Sequence, residues 1–319
     1  MKHDTPYIAF VLDPLEKLKF DKDTSIAMCA QMQSRGWNVY VMRTEDLFVE
    51  NGMACGVARQ LTLREDGFPS WTQGPDQTVA LTEFDALLMR KDPPFNMEYI
   101  HATYVLDRAK EQGLWVINDP GLLRSINEKF SVSMFADMAP PTLFSKNKNI
   151  LNEFVDRHKK VVGKPLNMMG GKSIFLIDHE SPNRNVILEN LTLDFQRTIC
   201  LQKYLPQIKK GDHRMLFVDG KELPYVIARM PQGKDHRGNL SSGAKAIVKP
   251  LSVTHKSIAK KMRPLLRKWG VFFVGIDIIG KKVTEFNLTS PLGLREISEG
   301  SDFDATKYFV DQMEKNLRK

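Results

Sequence analysis

Cysteine is nearly absent. The 319 residues contain three, Cys29, Cys55 and Cys200, too few and too scattered for a disulfide framework or a thiolate metal site. The seven histidines show neither HxxxH spacing nor close pairing, so the common zinc motifs are missing and each reads as a surface or packing residue. No apolar run reaches the roughly 18 residues needed to cross a bilayer. The N-terminus MKHDTPYIAF lacks a charged-then-apolar secretory signal. Neither G-x-S-x-G nor an arguable Cys-His arrangement occurs, which favours a reaction without a covalent enzyme intermediate. These absences together lead us to expect a cytoplasmic protein with no membrane role.

What is present is ordinary globular usage: 42% hydrophobic and 26% charged residues, without low-complexity tracts or a repeat period. The length implies two or three packed units. Forty-six Lys and Arg against 38 Asp and Glu give a formal charge of +8, which favours anionic partners in general. No nucleic-acid recognition module accompanies that charge, and none is expected as a partner.

The first third alternates strand and helix. YIAFVLD (7–13) reads as a buried strand, Thr24 to Arg35 as a helix stopped by Gly36, and WNVYVM as the next strand. A looser segment, Thr44 to Ala80, follows. FDALLMR then forms a strand running into KDPPF, Met97 to Gln112 a helix, and LWVIN a strand. Ligands bind at the carboxyl ends of such parallel strands, where KDPPF lies. Beyond it we expect a helix over Leu122 to Met134, a strand near Pro141 to Phe144 and a helix from Ile150 to His158. Strands and hairpins follow, with Asp219-Gly220 as a hairpin turn. Met230 to Lys249 reads as a long polar loop. A helix from Val253 to Lys268 disturbed by Pro264, two strands within VFFVGIDIIGKKVTEFNLTSP, and a closing helix from Asp304 to Leu317 complete the chain.

The stretch VGKPLNMMGGKS (162–173) ends like a P-loop, but Leu166 stands where the first glycine must be, and SIFLID beyond it is strand-like. What remains is Lys164 at a strand end and a Gly170-Gly171 tip whose amides are open to an anion. An ordinary hairpin turn has the same letters.

Glu285 and Asn287 lie two apart in VTEFN, so a strand projects both from one face. A three-residue loop Gly280-Lys281-Lys282 sets Asp277 across from Glu285, whereas a two-residue loop puts Asp277 on the other face. Three oxygen ligands of this kind suit magnesium, although an exposed acidic sheet face has the same pattern. Lys129, Lys164, Arg214, Arg229 and Arg237 are single cations in loops or at strand ends.

Taken in order, LMRKDPPF, NEK, the lysine strand with MGG, QKYLP, GDHR, ARMPQG, RGNL, GIDIIG and TEFNLTSP resemble prokaryotic glutathione synthetase over nearly the whole chain. The resemblance implies an α/β (α+β) ATP-grasp fold with an N-terminal parallel-sheet, Rossmann-like substrate domain. It divides the chain into 1–128, a central ATP-grasp subdomain at 129–205 and a C-terminal subdomain at 206–319 carrying lid and metal site. It implies ATP as substrate, held by Lys129, Lys164, the tip Met169, Gly170 and Gly171, the adenine segment Gln202, Lys203, Tyr204 and Leu205, and by Asp212 and Arg229. Asp277, Glu285 and Asn287 match magnesium ligands, with manganese the alternative.

Arg90 matches a residue holding γ-glutamylcysteine, and Arg237, Leu292 and Gly293 fall on the substrate side. Arg214 and Arg237 match arginines that stabilise the phosphoryl charge. The implied reaction forms an acyl phosphate on the dipeptide, which glycine attacks to give glutathione, ADP and phosphate. A homo-oligomer, a tetramer in the family, is implied too. The chain departs from the family pattern where Asn167-Met168 replaces Asp-Gly, where Lys172 replaces a small residue, and where Leu292-Gly293 replaces Thr-Cys. Another ATP-grasp carboxylate-amine ligase, or a catalytically impaired ATP-binding homologue, is the alternative.

Overall fold

A computed structural model describes residues 3–64, 70–92, 94–170, 173–231 and 245–319. The N-terminal unit comprises β1 (Tyr7–Val11), α1 (Thr24–Gln33), β2 (Asn38–Met42), β3 (Leu47–Glu50), β4 (Met53–Arg64), β5 (Ser70–Gln73), β6 (Gln77–Ala80), β7 (Ala86–Met89), α2 (Met97–Glu111), β8 (Trp115–Ile117) and α3 (Pro120–Ser125). Strands β2, β1, β7 and β8 are parallel neighbours. Their residues are almost all apolar and buried, as a sheet covered on both faces requires.

The segment expected to be loose between 44 and 80 instead holds four strands, which extend the sheet with antiparallel pairing. β4 alternates in burial along its length. Its inward positions include Ala54, Gly56 and Ala58, too small to announce a strand. A Cβ on Gly56 would lie 2.6 Å from Met42 Sδ, so side-chain bulk is excluded there.

Two further sheets follow. β9 (Thr142–Ser145), α4 (Lys148–His158), β10 (Lys160–Pro165), β11 (Phe175–Asp178), α5 (Arg184–Thr192) and β12 (Ile199–Lys203) form a four-stranded antiparallel sheet with two helices. β13 (Asp212–Val218), β14 (Lys221–Met230), β15 (Lys245–Pro250), α6 (Val253–Trp269), β16 (Phe273–Ile279), β17 (Lys282–Asn287), α7 (Leu294–Gly300) and α8 (Ala305–Leu317) build a five-stranded one. Asp219 and Gly220 make the β13–β14 turn with φ of 50° and 69°, the left-handed pair such a hairpin demands.

Four expectations change. The helix over 122–134 is two pieces, α3 and a 3-10 turn at Phe130–Phe135. The break is made by Asn127, whose Oδ1 accepts from the amides of Lys129 at 3.1 Å and Phe130 at 3.0 Å, an alternative that competes with helix. The long loop expected from Met230 to Lys249 has strand at both ends, β14 and β15, which pair with each other. Its residues 232–244 lie outside the described ones. α6 runs unbroken through Pro264, because Pro264 and Lys260, whose carbonyl it frees, both face solvent. Helices α5 and α7 were not anticipated from the sequence.

The N-terminal and five-stranded sheets share two apolar cores: Leu87, Leu106, Met215 and Ile276 belong to one, Phe10, Leu88, Leu216 and Phe309 to the other. Asn118 ties them further. Its Nδ2 donates to the carbonyls of Phe273 (2.6 Å) and Leu288 (2.9 Å), and its Oδ1 accepts from the amides of Phe272 (3.1 Å) and Phe273 (3.0 Å). The four-stranded sheet has a smaller core of its own, around Leu151, Val155, Val161, Leu188 and Leu201.

Candidate active site

The β16–β17 hairpin brings the acid and amide side chains together, by a route different from the expected one. Ile279 pairs with Lys282, so the loop is the two-residue turn Gly280-Lys281, yet Asp277 still pairs with Glu285 and Gly275 with Asn287. A β-bulge between Asp277 and Ile278 absorbs one extra residue, Thr284, whose hydroxyl donates to the Asp277 carbonyl at 3.2 Å. The three-residue loop is therefore corrected to a two-residue turn plus a bulge, which produces the same offset.

Asp277 is 1% exposed and its carboxylate is fully engaged. Arg214, opposite it on β13, donates Nε to Oδ1 at 2.8 Å and Nη2 to Oδ2 at 2.9 Å. Arg229 lies 2.9 Å from Oδ2 and also pairs with Asp212. Asn287 Nδ2 donates to Oδ2 at 3.1 Å. Burial opposes the charge of Asp277, but Arg214 and Arg229 overcome it and hold the carboxyl well below the usual carboxylate range. Asp212 goes the other way: burial, with Asp277 and Glu285 nearby, pushes it up to about 6 against the pull of Arg229.

Lys164 reaches from the four-stranded sheet to this cluster. Its Nζ donates to Glu285 Oε1 at 3.4 Å and to Gln202 Oε1 at 3.2 Å. Burial disfavours charge on Glu285, and Lys164 and Lys129 reverse that and lower its pKa. Lys129 donates to the carbonyl of Met168 beside the glycine tip. Both lysines are buried, and the Asn127 turn is what aims Lys129 and its neighbour Glu128 inward.

Gln202, at the end of β12, is buried and donates to Thr142 Oγ1 at 3.2 Å. Lys203, Tyr204 and Leu205 form the connection from the four-stranded sheet to the turn Pro206–Lys210 that precedes β13. Lys203 ends β12, so Tyr204 and Leu205 are the link between the two sheets.

Arg90 lies at the carboxyl end of β7, as the parallel-sheet rule anticipates. It is 5% exposed, and it donates Nε to Ser25 Oγ and Nη2 to the Pro291 carbonyl, both at 3.0 Å. Its Nη1 is buried with no hydrogen-bond partner among the described residues. Gly293 adopts φ 133°, and a Cβ there would stand 2.6 Å from Ile227 Cδ1. A side chain in place of this glycine would be strained by the backbone and would crowd Ile227 and Leu216.

A cavity of about 290 Å³ unites these parts. Of the residues picked out from sequence, Met169, Gly170, Arg214, Arg229, Glu285, Asn287, Leu292 and Gly293 line it. Asp277, Asp212, Lys164, Lys129 and Arg90 stand behind that lining or touch it. Gly171 and Arg237 lie outside the described residues. Asp92, Glu128, Ser290 and Glu296 also line the cavity and were missed. KDPPF and NEK contained two of them, but a single acid in a loop carries no spacing signal. The histidines gave another surprise: His213 Nδ1 and His255 Nε2 are 3.0 Å apart, a pair formed across 42 residues.

Among the described residues no three His, Cys, Asp or Glu side chains gather as a metal site. A cation here would depend on two carboxylates and the amide oxygen of Asn287. Both carboxylates are held ionised and all donors are oxygen, which fits a hard divalent ion.

Three sheets with a cationic seam between the second and third are the architecture of ATP-grasp ligases. The solved D-cycloserine synthetase DcsG has this fold at a TM-score of 0.69 and 14% identity, covering 98% of this chain and 99% of that one. The ATP-grasp ligase PsnB matches at 0.65 and 18%, covering 99% of each. The chain belongs to the prokaryotic glutathione synthetase family, whose N-terminal domain model matches residues 7–124 and whose ATP-grasp domain model matches 128–302. It is 42% identical over 313 residues to the glutathione synthetase of Salmonella typhi, covering 98% of this chain and 99% of that protein. The Vibrio cholerae glutathione synthetase is 41% identical over 311 residues, 98% of each.

Proposed function

We infer that this protein is an ATP-dependent ligase that joins glycine to γ-glutamylcysteine, forming glutathione, ADP and phosphate through an acyl phosphate. The observation that carries the reading is the bulged hairpin, which sets Asp277 across from Glu285 beside a bidentate Arg214, in a family where such a seam serves phosphoryl transfer. ATP is the substrate, with a divalent metal. We assign magnesium, with manganese the alternative, to Asp277, Glu285 and Asn287; such an ion neutralises charge on the transferring phosphoryl oxygens.

Lys129, Lys164, Arg214 and Arg229 concentrate positive charge where phosphate oxygens would lie, so positioning and electrostatics carry the catalysis. The tip at Met169 to Gly171 closes over the phosphates, and the segment from Gln202 to Leu205 takes the adenine, with Asp212 adjacent. Arg237 completes the arginine set. Arg90, with its free Nη1, takes the dipeptide, and Leu292-Gly293 bounds its pocket. The acyl phosphate hydrolyses in water, so a cavity closed on several sides protects it. We carry forward a cytoplasmic home, a homotetramer and a division into 1–128, 129–205 and 206–319. The separate core of the four-stranded sheet supports the middle unit.

The experiment is phosphate release measured as each component is omitted. Release requires ATP, magnesium, γ-glutamylcysteine and glycine together; release with a different acid or amine, and none with these, overturns the assignment in favour of another ATP-grasp ligase. Tight ATP binding without ADP formation under any pair marks an impaired homologue. Replacing Arg90 by Lys raises KM for the dipeptide by about 10- to 100-fold and leaves that for ATP nearly unchanged. Equal effects on the two would remove Arg90 from the dipeptide site.

A further inference from the structure

Four carboxyl groups line the cavity among the described residues, and they are not held alike. Asp92 is hydrogen-bonded to the Ser290 side chain. Glu128 accepts from Thr289 Oγ1 at 2.7 Å, and Glu285 accepts from Lys164. Glu296 differs. Its Oε2 is buried and has no hydrogen-bond partner among the described residues.

Its own backbone amide donates to the carboxyl, and the neighbouring cations direct their hydrogen bonds elsewhere. Arg214 is bound bidentately to Asp277, and Arg229 holds Asp212 and Asp277. On its own helix, Arg295 donates to Glu299 at 2.7 Å and to the Phe20 carbonyl at 2.7 Å, while Ser298 turns back to the Leu294 carbonyl at 3.0 Å. α8 offers Asp304, which is engaged with Ser298 and the Lys307 amide. A buried carboxyl oxygen without a donor is costly unless a ligand supplies one. Arg90, which we assign to the dipeptide, reaches the Pro291 carbonyl of this loop and is absent from the cavity lining, whereas Glu296 belongs to that lining, so the amine is the substrate left for the acid.

Resting on the ligase reading above, we propose that Glu296 receives the acceptor amine: its carboxylate holds the glycine ammonium and takes a proton from it as the nitrogen attacks the acyl phosphate. The new C–N bond forms as the carbonyl carbon's bond to the phosphate oxygen breaks. Of the two protons the nitrogen must lose, one goes to Glu296 and the other leaves on phosphate as HPO₄²⁻. Glu296 returns its proton to solvent when product departs. Burial raises the Glu296 carboxyl above the ordinary glutamate value, with its own backbone amide, Arg214 and Arg295 opposing and Glu299 adding to the rise, which moves it toward a base working near neutral pH.

The test compares glycine with hydroxylamine, a nucleophile largely unprotonated at neutral pH that needs no base, in wild type and Glu296→Gln. With glycine, kcat/KM falls by about 100-fold or more, and the acid limb of its pH profile disappears. The loss with hydroxylamine, read as hydroxamate, is at least tenfold smaller. Equal losses with both nucleophiles, or unchanged glycine kinetics, overturn the proposal. If Glu296→Gln fails to fold, as judged by ATP-induced thermal stabilisation, Glu296→Asp takes its place with the same expected ratio. A wild type that forms hydroxamate but no glutathione overturns the ligase reading instead.

Discussion

The two sheets that face each other across the cationic seam are attached to the molecule in different ways. The five-stranded sheet is welded to the N-terminal sheet by shared apolar core and by Asn118. Arg35 adds ion pairs to Asp311 at 2.7 Å and Glu314 at 3.2 Å. The four-stranded sheet has its own core and reaches the rest through Asn127 to the Leu166 carbonyl, Lys129 to Met168, Lys164 to Glu285 and a Phe130–Phe144 ring contact. A weld of buried carbon is non-directional and strong. Tethers of polar contacts are directional, and a phosphate that competes for the lysines can exchange with them. On this contrast we expect the sheet that carries the glycine tip to reorient more readily than the frame that holds the acids and arginines.

The largest effect comes from cutting a tether that is also chemistry. Glu285→Gln lowers kcat by about 1000-fold, and it leaves Lys164 without its carboxylate at a stability cost of about 3 kcal/mol. Steady-state rates and urea melts check both, and near-normal turnover would sink the metal assignment. Cutting the weld has no chemistry in it. Asn118→Ala orphans buried carbonyls and amides at a cost of about 3 kcal/mol, and the N-terminal and five-stranded sheets then unfold together at lower denaturant. Unfolding confined to the four-stranded sheet would contradict the comparison.

A smaller effect is set by pH. Burial, with His213 beside it, pulls His255 down to about 4 from 6.5. The folded state therefore binds that proton less readily than the unfolded chain, so stability is complete above pH 6.5 and falls as pH drops toward 4. His255→Gln flattens this limb; an unchanged slope would mean that His255 does not set it. The smallest effect is a difference in hydrogen exchange. Amides of Val161 and Leu201 exchange at lower protection than those of Leu216 and Ile276, and saturating ATP with magnesium narrows the gap. Equal protection without nucleotide would mean one rigid body.

The sequence was most legible where a period or motif stood on regular structure. The β1–α1–β2 alternation, the Asp219-Gly220 turn and the strand positions of Glu285 and Asn287 all followed from local pattern. Small residues concealed β4, since Ala54, Gly56 and Ala58 have no hydrophobic signature although packing demands their size. Competition between a side chain and the backbone concealed the break at Asn127. The site was legible as a set of basic and acidic letters, but not as a network, because Arg214 meets Asp277 only through pairing across 63 residues. Glu296 could not be read at all: its distinction is a missing partner, which exists only in three dimensions.

The bulge at Thr284 has an evolutionary meaning. A regular two-residue hairpin needs one residue fewer between Asp277 and Glu285 than this chain contains, and the surplus is stored in the strand. Removing Lys281 or Thr284, or adding one residue to the turn, leaves an even number of residues between Asp277 and Glu285 and straightens the ladder with the two still opposite. The segment holding the most exacting side chains therefore tolerates the loss or the gain of one residue, because the bulge is what either change removes. Length variation of one residue among descendants of this chain should run in both directions at this hairpin, while Asp277, Glu285 and Asn287 keep their face.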